Sequence, residues 1–272
     1  MMNRDKGSPW LFIALAYVLS WLCWVPAAAF GRDFTASLWA IPYLLGGFGP
    51  SVAGIILVYR NRDTAGRRAF WRRVVDPKRI SGGWYLFILL IFPAIVAGAL
   101  LLSGAMGGSL PELGTLSEIS ANPGLLVGLL LFNLVGGPIS EELGWRGVGL
   151  DRMLARWSPL AASLITAPFW VVWHAPLFFM EGTSQYSWGL GTVDFWFYVA
   201  SVVPLSVLET WSAVKNRRSI LAAILLHFTY NFTISLIFPM STRVFGLTAL
   251  LLTVAAVGVV LVTGLEEPDP VG

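Results

Sequence analysis

Two adjacent glutamates and an arginine end one of the apolar stretches of this sequence. Glu141 and Glu142 stand in the run SEELGWRG, and Arg146 follows Glu142 by four residues. On a helix this spacing puts Glu142 and Arg146 on one face, where they can pair, while Glu141 points about 100° away and is free to act as a base. An interfacial salt bridge is the alternative interpretation of this cluster. A further acid in an apolar stretch, Glu209, is expected to pair with a cation such as Arg146 or Lys215.

The only two histidines of the sequence lie in other apolar stretches, each with a partner one helical turn away. His174 follows Trp170 by four residues, so the indole can pack against the imidazole. His227 precedes Asn231 by four residues, which places two polar side chains on one helix face. Polar and ionisable residues inside a membrane are functional hypotheses by default. A buried structural histidine or a hydrogen bond between helices is the alternative at each position.

Together these residues have the chemistry of a hydrolase. A glutamate, two histidines and an asparagine could activate a water molecule and stabilise an oxyanion. Alternatively, Glu141, His174 and His227 could hold a zinc ion, which accepts carboxylate and imidazole ligands. The sequence lacks HExxH, in which two histidines on one helix pre-form a metal site. Since Asn231 is also a weak zinc ligand, we expect no metal and no other cofactor.

The elements that must position these residues are membrane helices. Hydrophobic residues make up 56% of the 272 positions and charged residues 12%, with a mean hydropathy of +0.72. Soluble domains contain about 25% charged residues, so the charges here are too few to cover a water-exposed surface. The single cysteine excludes an intrachain disulfide, and the alternating pattern of a β-barrel is missing. We therefore predict an all-α, polytopic transmembrane helical bundle of about eight helices. The predicted spans are 9–30, 38–59, 84–103, 122–142, 158–180, 194–214, 219–240 and 244–264.

The basic residues predict how the bundle lies in the cell membrane. Segment 60–79 carries eight lysines and arginines, which places it in the cytoplasm. With eight spans, sixteen of the 18 basic residues fall on this side, and both termini are cytoplasmic. The basic pI then reflects topology and contact with anionic membrane lipid, and we expect no nucleic-acid partner. Arg4, Lys6, an apolar run and Ala27–Ala29 also fit a cleavable signal peptide, but the charge count favours a retained first helix.

The sequence is organised as one membrane domain, residues 1–272, whose polar residues predict a catalytic core over 122–240. Residues 104–123 are predicted to form an external loop. Residues 147–157 have the pattern of a short amphipathic helix on the cytoplasmic surface, and residues 266–270 that of a disordered tail.

The three polar clusters, in this order, resemble the CPBP family of CAAX prenyl proteases and bacteriocin-processing proteins, also called the Abi family. The family motifs EExxxR, FxxxH and HxxxN/D read here Glu141-Glu142-x-x-x-Arg146, Trp170-x-x-x-His174 and His227-x-x-x-Asn231. Trp170 stands where the family usually has phenylalanine. Because tryptophan keeps an aromatic wall, we expect this departure to leave the chemistry unchanged.

The resemblance implies an intramembrane endopeptidase of the glutamic type. By this analogy Glu141 is the general base, His174 positions the attacking water, and His227 and Asn231 stabilise the oxyanion. The other two residues of the first motif would fix the geometry of the turn at Glu141. The implied partners are membrane lipid and a peptide or protein substrate, which a CAAX protease requires to be prenylated.

Two further functions fit the same residues less well. A non-catalytic relative could act as a membrane scaffold or as an immunity protein against a bacteriocin, but it would not need a base, two histidines and an asparagine together. A proton-coupled transporter is disfavoured because the intramembrane polar residues lie in one half of the chain, whereas many transporters are built from paired repeats.

Overall fold

The computed structural model describes residues 7–30, 38–108 and 114–265. Within these ranges the chain is helical and contains no β-strand, which confirms the predicted all-α class. The α-helices are α1 (Pro9–Phe30), α2 (Ala40–Gly47), α3 (Gly49–Asn61), α4 (Thr64–Val75), α5 (Gly82–Ala105), α6 (Gly114–Ala121), α7 (Gly124–Leu134), α8 (Ser140–Glu142), α9 (Leu150–Leu154), α10 (Pro159–Trp173), α11 (Ser184–Trp188), α12 (Val193–Lys215), α13 (Ile220–Ile237) and α14 (Thr242–Thr263).

Two π-helical segments interrupt the helical run that carries the glutamates. The first π segment is Val135–Ile139 and the second is Leu143–Gly149. Two 3₁₀ turns, Pro77–Arg79 and Ala175–Phe179, complete the regular structure of the described ranges.

The described residues include seven helical runs that are long and apolar enough to cross a membrane. The pair α2 and α3, bent by 44°, supplies an eighth and corresponds to the predicted span 38–59. The bend falls at the run Gly46-Gly47-Phe48-Gly49-Pro50, where Pro50 has no backbone N–H to continue the helix ladder. The predicted polytopic bundle is thus confirmed, while the side of the membrane that each loop faces stays a prediction.

Helix α12 lies at the centre of the bundle. It packs against α10, α13 and α14, and α5 covers the far side of α13 and α14. In its apolar window 72% of the residues are buried, compared with 28–50% in the other unbroken candidate spans. Glu209, in the C-terminal half of this helix, is therefore completely enclosed by protein.

Helix α3 contacts the second π segment backbone to backbone. A methyl group added at Gly144 would overlap the carbonyl group of Pro50, and one added at Gly54 would lie 2.9 Å from the carbonyl oxygen of Leu143. Membrane helices pack through small residues in this way, because lipid supplies no hydrophobic force between them. The contact fixes the segment that follows the two glutamates.

The predicted surface helix at 147–157 is wrong. The chain instead continues from the second π segment into α9, and every residue from Leu143 to Leu154 is buried. The mixed charges of the segment, which suggested an amphipathic helix, pair inside the protein. The predicted external loop 104–123 contains the short helix α6, and the predicted tail 266–270 lies outside the described residues.

The buried charges of α9 form an ion cluster around Asp151. Its carboxylate accepts from Arg73 at 2.6 Å, from Arg62 at 3.0 Å and from Arg218 at 3.0 Å. The cluster joins three parts of the chain: the basic segment 60–79, α9, and the turn between α12 and α13. Several cations that the sequence assigns to loops thus hold the helices together.

Candidate active site

The two glutamates lie on a helical fragment of only three residues, α8, held between the two π segments. The first π segment contains Gly136, Gly137 and Pro138, and the second contains three more glycines. Proline and glycine disturb the regular α-helical ladder, and π-helical turns are frequent at functional sites. Glu141 is 5% exposed and Glu142 is fully buried, so both carboxylates depend on protein partners.

The carboxylate of Glu142 belongs to a buried ionic network. Its Oε1 accepts from Arg146 Nη1 at 3.2 Å, which confirms the predicted i,i+4 pair, and from His227 Nδ1 at 2.8 Å. Arg146 also pairs with Glu209, as predicted for that acid, and His227 Nδ1 lies 3.7 Å from Glu209 Oε1. The network links α8, the second π segment, α12 and α13, and it holds Nδ1 of His227 away from the rest of the site.

The carboxylate of Glu141 has a different partner. Its Oε2 accepts a hydrogen bond of 2.7 Å from the indole Nε1 of Trp170, on α10. Trp170 is 3% exposed, and the Cζ atom of Arg146 lies 4.5 Å from its ring centroid. Trp170 is thus more than the aromatic wall that the sequence predicts, because phenylalanine has no N–H to donate.

His174 lies at the end of α10, within the candidate span Pro159–Phe179. It caps α10, directly before the 3₁₀ turn Ala175–Phe179. Its Nδ1 is 2.8 Å from the carbonyl oxygen of Trp170, which can only accept, so the free Nε2 is an acceptor when the ring is neutral. The rings of Trp173 and Tyr198 pack edge-on against the imidazole, with centroids 4.5 Å and 6.1 Å away.

Gly137 leaves open the space on which the polar atoms converge. A methyl group added there would lie 2.7 Å from Asn231 Nδ2, 3.7 Å from His227 Nε2 and 3.8 Å from Glu141 Oε1. Three predicted site residues therefore face one small volume, with one carboxylate oxygen and two nitrogen atoms around it. His174 joins them through Trp170, whose carbonyl and indole groups contact His174 and Glu141.

Sequence reasoning missed three features of this site. Gly137 carries no side chain to attract notice, although a Gly-Gly-Pro run three residues before a glutamate pair in an apolar stretch was a usable signal. The hydrogen bond from Trp170 has no sequence signal, because it depends on how α10 lies against α8. Tyr198 was also missed, and its buried hydroxyl has no hydrogen-bond partner among the described residues.

Only part of the ligand set that the sequence suggests for a zinc ion comes together in the structure. Within the described ranges, one group of three acidic or histidine residues brings its ligand atoms within 4.8 Å of one another, namely Glu141, Glu142 and His227. His174, which the sequence places in the alternative zinc set, is not in this group. Arg146 also donates to the same Glu142 oxygen as His227, and a guanidinium opposes a further cation at that position. The donor set therefore fits a metal poorly, and no catalytic step is assigned to one.

An all-helical membrane protein with buried glutamates and a buried histidine beside a partly buried asparagine is the class that this fold and site define. Residues 123–233, which contain all three motifs, match the family model described as Rce1-like, type II CAAX prenyl endopeptidase. The chain is also 28% identical over 262 residues to CAAX prenyl protease 2 of Methanococcus maripaludis, a match that covers 94% of this chain and 95% of that protein. The chain is thus similar to CAAX prenyl endopeptidases over the region that carries the three motifs.

Proposed function

We propose that this protein is an intramembrane endopeptidase in which Glu141 activates a water molecule. The observation that carries the proposal is the convergence of Glu141 Oε1, His227 Nε2 and Asn231 Nδ2 on the space beside Gly137. A general base and hydrogen-bond donors around one small volume are what amide hydrolysis needs. The family match supports the same reaction class.

In the proposed mechanism, a water molecule beside Gly137 gives a proton to Glu141 Oε1 while its oxygen attacks the carbonyl carbon of the scissile bond. The carbonyl oxygen becomes an oxyanion, and it accepts from Asn231 Nδ2 and from Nε2 of the His227 imidazolium. Glu141 then delivers its proton to the leaving nitrogen, and the C–N bond breaks. His174, through its free Nε2, accepts a hydrogen bond from the second O–H of the water and so orients it, and that proton stays on the oxygen that becomes part of the carboxylic acid product.

The surrounding residues keep this geometry. Glu142 holds Nδ1 of His227, which directs Nε2 toward the oxyanion. Arg146 supplies positive charge to both Glu142 and Glu209, so that the network is balanced although it is buried. The network is buried, and a low local dielectric strengthens each of these interactions.

For the substrate class, we propose a prenylated peptide or protein that is cleaved near its C-terminus. The support is the Methanococcus relative, a CAAX prenyl protease that matches nearly the whole chain. A prenyl group would bring the substrate into the lipid, and a site built from intramembrane helices acts on substrates that are held there.

The test is cleavage of a farnesylated CAAX peptide, and of the same peptide without the lipid, by the full chain in liposomes. We expect hydrolysis by the wild type and a loss of about 10²–10⁴-fold in Glu141→Gln, since glutamine keeps the shape but accepts no proton. Glu118→Gln, which changes an exposed acid on α6, is the matched control and should keep full turnover. Equal turnover by wild type and Glu141→Gln would remove Glu141 from the mechanism, and no cleavage of either peptide would favour a scaffold or immunity protein.

The neighbouring residues Gly136 and Gly137 offer a second test of where the reacting atoms lie. Gly137→Ala places a methyl group among Glu141, His227 and Asn231, so we expect turnover to fall about tenfold or more while folding is kept. Gly136→Ala puts the same group 3.7 Å from the ring of Phe132, an ordinary contact, and should remain active. If both alanine variants cleave equally well, the reacting atoms do not occupy this space.

A further inference from the structure

Trp170 makes three separable contacts at the candidate site. Its indole N–H donates to Glu141, its ring makes a cation–π contact with the guanidinium of Arg146, and its backbone carbonyl accepts from His174. The ring also meets the imidazole of His227 nearly at right angles, with centroids 5.5 Å apart. Only the first of these contacts needs the indole nitrogen, because any aromatic residue supplies a ring face and every residue supplies a carbonyl.

The two oxygens of Glu141 are therefore not equivalent. Oε2 is occupied by the indole N–H, while Oε1 faces the space beside Gly137. A carboxylate is free to turn about its last torsion, which is broad, unless a partner holds one oxygen. A charge-assisted hydrogen bond to a buried donor supplies that restraint.

We propose that Trp170 is a positioning residue whose indole N–H fixes the Glu141 carboxylate so that Oε1 is the oxygen that takes the proton from water. The proposal rests on the proposed function, because it requires Glu141 to be the base. Without the N–H, Glu141 Oε2 would be buried with no donor, and the carboxylate would turn away from the water to find one.

The contacts of Trp170 allow its N–H to be removed alone. Trp170→Phe keeps a ring under Arg146 and the carbonyl toward His174. Incorporation of benzothienylalanine at position 170 is stricter, since it keeps the size and shape of tryptophan and replaces the N–H by sulfur. Incorporation of 5-fluorotryptophan keeps the N–H and is the rescue variant.

Trp145 provides the matched control. It is 2% exposed and packs against Trp173, but its indole nitrogen has no hydrogen-bond partner among the described residues. Benzothienylalanine at position 145 thus removes a buried N–H without removing a hydrogen bond.

The experiment measures kcat and KM of the full chain in liposomes for the peptide that the wild type cleaves. We expect both N–H-free variants at position 170 to lower kcat about tenfold or more, with KM within about twofold, because substrate binding does not use this hydrogen bond. The fluorinated variant at position 170 and the control at position 145 should retain wild-type kcat.

Three results would overturn the proposal. The N–H-free variants could keep kcat while Glu141→Gln is inactive, which leaves the proposed function intact and assigns Trp170 to packing. They could lower only the amount of folded protein, or raise KM alone, which is a structural effect. Wild-type turnover in Glu141→Gln would reject the base itself, and the inference about Trp170 with it.

Discussion

The adjacent side chains of Glu141 and Glu142 lie in different environments. Glu142 is surrounded by Arg146 and His227, whereas Glu141 meets a neutral indole and an open space. The difference arises because consecutive residues on a helix point about 100° apart. One carboxylate of the pair therefore serves the structure and leaves the other available for chemistry.

At this scale, removal of Arg146 should cost both stability and activity. In Arg146→Ala, Glu142 and Glu209 lose their shared cation and are left as buried charges, at a cost of about 3–5 kcal/mol. We expect a large drop in thermal unfolding temperature in detergent, together with loss of peptide cleavage. Arg68→Ala, at an exposed position of α4, is the control. A variant at position 146 as thermostable as the wild type would show that the guanidinium is not a structural clamp.

The contacts of Glu142 also predict the metal content of the protein. Arg146 and His227 both contact Oε1 of Glu142, and a guanidinium beside this carboxylate opposes a further cation, so purified active protein should contain no stoichiometric metal. Elemental analysis of a sample with measured activity is the measurement. About one zinc ion per chain, with activity lost on stripping and restored on refilling, would instead make Glu141, Glu142 and His227 ligands.

The sequence contains the identities of most site residues but not their mutual orientation. The pairing of Arg146 with Glu142 is local, since one helical turn determines it, and it was predictable. The bond between Trp170 and Glu141 spans 29 positions and depends on how two helices cross. Such a contact leaves no periodic pattern in the sequence.

At the scale of helices, the glycines around α8 determine how closely the segment that carries the two glutamates packs against α3. Gly144→Ala would force a methyl group into the carbonyl of Pro50, and neither backbone can move without separating α3 from the second π segment. We expect a clear loss of thermal stability and of activity, measured by unfolding in detergent and by peptide cleavage. Gly128→Ala, on the exposed face of α7 with no atom within 4 Å of the new methyl group, should have little effect. Equal stability of both variants would show that the backbone contact is dispensable.

Hydropathy located the membrane helices well because each span needs its own run of about 20 apolar residues. It did not locate the bend between α2 and α3 or the two π segments, which depend on glycine and proline within apolar runs. Segment 147–157 was misassigned for a related reason. Charges such as Asp151 predict exposure when their buried partners, here three distant arginines, are unknown.

For the whole molecule, the charge distribution predicts that segment 60–79 faces the cytoplasm and segment 104–120 the opposite side. The test labels single cysteines at Lys78 and Ser117, both exposed, in a Cys23→Ser background. A membrane-impermeant reagent applied outside intact cells should label the cysteine at 117 and not the one at 78, and permeabilised cells should show both. The Cys23→Ser parent must remain unlabelled, and labelling of both positions from one side would contradict the eight-span topology.

The i,i+4 pair of Glu142 and Arg146 also bears on how the protein is made. The ribosome synthesises a chain from its N-terminus onward, so the run that carries Glu141 and Glu142 is made well before α12 and α13 supply Glu209 and His227. A charged residue at the centre of a helix raises the free energy of insertion by the translocon, by about 2.5–3.5 kcal/mol. Arg146 lies on the same helical run, so Glu142 enters the bilayer with its counter-charge already beside it. The later helices then dock onto a segment in which the charge of Glu142 is already paired.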